Sequence, residues 1–226
     1  MTCFCVVGTV EEFVRQVAAH CLPHGFHFYV SGFVREGKDP RAIDAAILEK
    51  YEIAPNKWER YRRKRRGEVN VRYMRHGRRF LILATGPAGD HPFFLTEAEV
   101  RDATAVPIKF HGYEMSYREG RTRVRVGHEA WRYLRGDMLR IFGHSVPALV
   151  ARFQSVPYEP FAGVRYQMFR LLDEVNRRRK AAGLPCVPPS AVRYRLRSGP
   201  VFERAVRGEA ASAGARGALL GVADPP

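Results

Sequence analysis

Two rhythms of apolar residues run through this chain, one of period two and one of period three to four. "TCFCVVG" (residues 2–8) is a short apolar run of strand length. "VEEFVRQVAAHCLPHG" then sets Phe13, Val14, Val17 and Ala18 at helical spacing, with Thr9 placed to cap and Glu12 three residues on. "FHFYVSGFV" reads as a strand rich in aromatic and branched residues, and "RAIDAAILEKY" gathers Ile43, Ala46, Ile47 and Tyr51 on one helical face. "KWERYRRKRR" predicts a helix stopped by Gly67. Two strands follow, "VNVRYM" and "RRFLILAT", joined through "RHG". A short helix is expected within "FFLTEAEVRDAT". The sharpest strand pattern comes next, two extended runs around "REGR" in which Arg121, Arg123 and Arg125 alternate with Thr122, Val124 and Val126. Three helices follow: "HEAWRYLRGDMLRIFG", "SVPALVARFQSV" and "VRYQMFRLLDEVNRRRKAAG". A late basic strand is expected over residues 192–197.

Early helices and centrally clustered strands predict an α+β fold built on a central, mostly antiparallel sheet, compatible with a ferredoxin-like arrangement. Helices are expected on one side, leaving the other face for a ligand, with a helical C-terminal part. The expected organisation is a core domain over residues 1–145, a helical extension carrying the late strand over 146–202, and a flexible tail over 203–226 rich in Ala and Gly.

Composition changes this picture in one respect. At 226 residues, 46% hydrophobic and 12% aromatic, the chain can bury a substantial core, yet its formal net charge is +15. Self-repulsion of that size is relieved by an anionic partner, nucleic acid first among them. The cations are 32 Arg and only 6 Lys. Guanidinium forks suit phosphate contacts and stack on bases, although a coding bias toward Arg gives the same composition. Placement therefore decides. Residues 57–80 hold eleven Lys and Arg against two Glu. Arg60, Arg62, Arg63, Lys64, Arg65 and Arg66 on the helix, continued by Arg72, Arg75, Arg78 and Arg79 on the hairpin, are expected to grip a phosphate backbone in one continuous surface. Arg121, Arg123 and Arg125 would extend the grip, as would Arg177, Arg178 and Arg179, although cations at a helix C-terminus also suit its dipole. Trp58 reads mainly as an anchor docking its helix on the sheet, and Tyr61 fits core or base-stacking equally.

Chemistry is less clearly written. His20, Cys21, His24 and His27 lie close together, but the run lacks the second pair of ligands that a zinc site wants, and no metal site is assigned. His27, His111 and Tyr113 are the candidate catalytic set of an alternative reading, a phosphodiesterase or endonuclease working with or without a divalent metal such as Mg²⁺. Asp90 and His91 read as a turn before Pro92. No dense carboxylate set, Walker loop, dinucleotide fingerprint or serine elbow is present.

The leading expectation is a cytoplasmic nucleic-acid-binding protein of a mobile-element, defence or RNA-processing system, with no cofactor of its own, taking DNA or RNA. A third reading is a basic structural subunit of a larger nucleoprotein complex. Cys3, Cys5, Cys21 and Cys186 form no paired motif, the start of the chain lacks the ordered parts of a secretory signal, and no apolar run is long enough to span a bilayer. No membrane partner is expected.

Overall fold

A computed structural model describes residues 5–53, 56–86 and 90–195. The chain divides into two compact units parted between Val106 and Pro107. The ladder around "REGR", expected in the core domain, instead founds the second unit, because its strands form a sheet of their own.

In the first unit, Thr9 Oγ1 accepts from the Glu12 N–H at 3.2 Å and starts α1 (Val10–Arg15). The helix widens into a π-turn over Gln16–Cys21, tightens to a 3₁₀ turn over Leu22–His24, and stops on Gly25 at φ +89°. The following elements are β1 (Phe28–Phe33), α2 (Pro40–Lys50), α3 (Lys57–Arg65), β2 (Val71–His76), β3 (Arg79–Ala84), α4 (Pro92–Thr96) and β4 (Arg101–Asp102). Asp39 caps α2 through the Arg41 N–H at 3.0 Å, and Pro40 occupies the first turn, where its missing N–H does no harm. The β2–β3 turn is Gly77–Arg78 rather than "RHG". Pairing His76 with Arg79 leaves two turn residues, and Gly77 at φ +57° suits the II′ geometry favoured by twisted hairpins.

The sheet runs β2-β3-β1-β4, antiparallel throughout. Of the expected first strand, the described part makes a parallel bridge, Val6 to Arg75, flanked by Val7 N–H to Arg75 C=O and Arg75 N–H to Cys5 C=O, both 2.8 Å. Because β4 has two residues and α4 five, a ferredoxin-like fold is not established by this order.

Val30, Val71, Tyr73, Phe80, Ile82 and Ala84 project from one face of this sheet and pack on Ile47 and Tyr51 of α2 and Phe93 of α4. The opposite face is not open: Tyr29, Met74, Leu81 and Leu83 are buried as well. Arg72, on that second face, donates to the His20 carbonyl at 3.0 Å, tying the end of the α1 segment there. Phe13, Val14, Val17, Cys21 and Leu22 of that segment are fully buried. A sheet covered in this way offers no flat ligand platform.

His91 caps α4. Its Nδ1 accepts from the Phe93 N–H at 3.1 Å, which requires an unprotonated Nδ1. Burial, and then the Arg63 charge, hold its pKa below the ordinary imidazole value of 6.5. Folding thus favours neutral His91. Its contribution is complete above the unfolded pKa and declines as pH falls through about 6.5, where the unfolded chain takes up the proton first. His91→Asn keeps a capping acceptor that does not titrate. Its denaturation midpoint is expected to drop less than the parent's between pH 7.5 and about 5.5; equal drops would show that this cap carries no pH dependence.

The second unit opens with β5 (Ile108–Phe110), β6 (Tyr113–Arg118) and β7 (Arg121–Val126) in that order, antiparallel. Ile108, Phe110, Tyr113, Met115, Val124 and Val126 are buried on one face. Three helices follow, α5 (His128–Arg140), α6 (Val146–Gln154) and α7 (Ala162–Ala181). α7 lies on β7: a Cβ at Gly163 would sit 2.4 Å from the Val124 carbonyl oxygen, so only glycine permits this approach. The Gln167 amide accepts from the Val126 N–H at 2.8 Å and donates to its C=O at 3.1 Å, closing that edge of the ladder.

The expected late strand does not form over its described part. A 3₁₀ turn at Pro189–Ala191 precedes it, and Arg193 donates back to the Val156 and Tyr158 carbonyls at 3.0 and 2.7 Å. Residues 196–226, including the expected tail, lie outside the described residues.

Candidate nucleic-acid interface

α3 is the centre of the candidate site. Asn56 Oδ1 accepts from the Glu59 N–H at 2.9 Å, which fixes the start of the helix. None of its nine residues is buried. At about 100° per residue, Trp58, Tyr61, Arg62 and Arg65 fall within roughly a quarter to a third of the circumference, while Arg60 and Arg63 point the other way. The exposures agree: Arg60 and Arg63 are half-buried, and the four on the first face are exposed. On the inner side the Asn70 side chain donates to the Arg60 carbonyl at 3.1 Å, and Arg63 lies 3.8 Å from Glu52 and 3.9 Å from Glu59. The helix is thus attached by its back.

Trp58 is 64% exposed and Tyr61 55% exposed, so the expectation that Trp58 anchors its helix in the core is overturned. The signal was present in the sequence. An anchor needs an apolar neighbour one turn on, and the residues at that spacing from Trp58 are Tyr61 and Arg62. Lys57 Nζ sits 5.3 Å from the Trp58 ring centroid, a cation–π contact on the surface. Arg62 approaches Glu59 at 3.7 Å, and Arg66 forms a fork with Glu68 that holds this exposed carboxyl below its ordinary range. Among the described residues, Lys64 and Arg65 have no carboxylate within ion-pair distance. Acid offsets only part of the charge.

The hairpin does not continue this surface. Arg72 is drawn to His20 and Cys21, with its guanidinium carbon 5.3 Å from the Phe26 centroid. Arg75 is buried and forked onto Asp44 at 2.7 Å through Nε and Nη2. Arg78 clamps the carbonyls of Val34, Arg35 and Lys38. Arg79 alone of the four is exposed. The one continuous helix-and-hairpin surface is therefore replaced by a basic helix standing without the hairpin's help.

The second unit carries its own basic face. Lys109, Arg118, Arg121, Arg123 and Arg125 all project from the polar side of β5–β7, where the register sets Arg118 opposite Arg121 and Glu114 opposite Arg125. Glu114 is buried beneath this face, accepting from Arg125 Nε at 2.9 Å, and Glu119 in the turn takes Arg123 at 2.6 Å. Like charges directly across a ladder, as at Arg118 and Arg121, are destabilising until an anion lies over them. Lys109 and Arg118 were missed from sequence, although "IKF" and "SYR" alternate as regularly as the run that was read. At the end of α7, Arg177 and Arg178 are exposed, whereas Arg179 is buried and donates to carbonyls of Phe142, His144 and Pro185.

The candidate catalytic residues are divided between the two units. His27 Nε2 lies 3.0 Å from the Leu22 carbonyl in the first unit. In the second, His111 is exposed at φ +45° in the β5–β6 turn, its ring 4.8 Å from that of Phe110. The buried Tyr113 hydroxyl accepts from the Glu159 N–H at 2.7 Å and so faces no solvent. Among the described residues, no group of three His, Cys, Asp or Glu side chains is set to hold a metal ion, and no helix is long and apolar enough to cross a membrane. Cys5 and Cys21 are buried, and Cys186 is exposed. The chain matches no protein-family model and no curated protein sequence.

Proposed function

We propose that this protein binds nucleic acid through the phosphate backbone, with α3 as its principal grip and the basic face of β5–β7 as a second contact of the same kind. The supporting observation is the exposure of α3. Short helices owe most of their stability to a face packed on the fold, yet this one buries no residue and turns Arg62, Lys64, Arg65 and Arg66 to solvent. Like charges three and four residues apart oppose the helix by a few tenths of a kcal/mol per pair, and a phosphate backbone laid along it removes that repulsion. Contacts of this kind supply affinity rather than sequence discrimination.

The test is a salt titration of binding to labelled oligonucleotides. R62Q/K64Q/R65Q retains good helix formers and removes three charges. It is expected to flatten the slope of log K against log salt by about 2 to 3, as each lost phosphate contact releases one fewer counterion. A slope equal to the parent's takes α3 out of the interface.

A further inference from the structure

Resting on the nucleic-acid reading just given, we infer that Trp58 and Tyr61 form a base-stacking platform, and that the ligand of α3 is single-stranded. Both rings are more than half exposed, one helical turn apart on the face that points away from the fold. They contribute nothing to the core, and the helix they sit on has no buried residue. Large exposed rings are therefore unaccounted for by folding.

Their neighbours say what fits. Arg62 and Arg65 share the same face, and Lys57 lies over the Trp58 ring. A flat apolar surface ringed by cations matches one chemical class: a planar base attached to a phosphate, repeated along a strand. Stacking supplies affinity with little sequence preference because every base has a π-face, while the cations follow the backbone. A duplex hides those faces in its own stack and would leave both rings in water. An acidic protein segment would satisfy the cations but not the rings.

The experiment measures binding of the full chain to an oligo(dT), an oligo(U) and a DNA duplex, each of about 12 nucleotides or base pairs, within the usual span of such sites. W58A/Y61A, which exchanges two solvent-exposed rings for a strong helix former, is expected to lose about tenfold or more in affinity for the single strands. The salt slope is expected to hold, and duplex affinity to stay within about twofold. W58F/Y61F should restore most of the loss. Loss on oligo(dT), oligo(U) or both supports the platform and tells which sugar it takes.

Binding that is unaffected by W58A/Y61A, or weakened equally for duplex and single strand, overturns the platform while leaving the phosphate grip intact. A parent chain that binds none of the three probes at low salt, or binds them with no salt dependence, overturns the nucleic-acid reading itself.

Discussion

Asp44→Ala is expected to lower the unfolding free energy by about 3–5 kcal/mol, the usual consequence of leaving a buried cation without its partner. Asp44 on α2 and Arg75 on β2 are 6% and 7% exposed and meet through two hydrogen bonds of 2.7 Å. Tyr73 donates its hydroxyl to the same carboxylate at 2.5 Å, and Arg75 reaches the Gly77 carbonyl in the hairpin turn. One carboxylate therefore joins a helix, the strand beneath it and the turn that sets the hairpin register. Burial, then the bond to Asp44, pushes the Tyr73 phenol far above its ordinary range, and the same carboxylate strengthens the Arg75 proton's hold. Truncation strands both donors at once. Asp44→Leu combined with Arg75→Met removes the charge pair whole and is expected to recover part of the loss, because an apolar pair of similar volume is nearly neutral in such a site while the buried Tyr73 hydroxyl stays without its acceptor. Denaturant midpoints for the single and double variants complete the cycle. A loss below about 1 kcal/mol in Asp44→Ala would contradict the assignment of Arg75 to the interior.

Arg75 also shows where the sequence stops being legible. Period-two alternation placed Arg121, Arg123 and Arg125 on a solvent face, and so it is, because only one face of β5–β7 is buried around them. In β2 the same reasoning needs a fact the strand does not carry. Arg72 and Arg75 lie on opposite faces, and both faces of that sheet are covered. No assignment of register could leave either one free. The long arginine stem then finds carbonyls or a carboxylate, and a basic hairpin becomes a set of internal ties. Caps were more legible, since a cap is local: Thr9 holds the Glu12 N–H that its spacing announced. The division at Val106 was not, because the order of strands along the chain is the same whether they join one sheet or two. α3 was read correctly as a helix but Trp58 on it incorrectly as an anchor: helical spacing fixes which residues share a side, and only the lack of an aliphatic neighbour one turn on signalled that the fold leaves this side bare.

The run "NRRRK" carries the same lesson into a second strong effect. Arg179 is 1% exposed at the end of α7 and donates Nε to Pro185 at 2.6 Å and Nη1 to His144 at 2.6 Å, with Phe142 as a third carbonyl partner. It fastens the segment after α5 and the segment after α7 to the helix between them. Arg179→Ala is expected to cost about 3 kcal/mol, since several buried carbonyls lose their donor together and a large side chain leaves a void. Arg177→Ala and Arg178→Ala, two residues and one residue earlier and both exposed, should stay within about 0.5 kcal/mol. Arg179→Lys separates charge from geometry. It keeps the cation, yet one ammonium cannot replace a planar fork that reaches carbonyls in different directions, so most of the destabilisation should remain. Below its melting transition, Arg179→Lys is expected to bind oligonucleotides with the parent's salt slope, because a buried guanidinium releases no counterion from a phosphate. A flattened slope with unchanged stability would return Arg179 to the surface and to the interface.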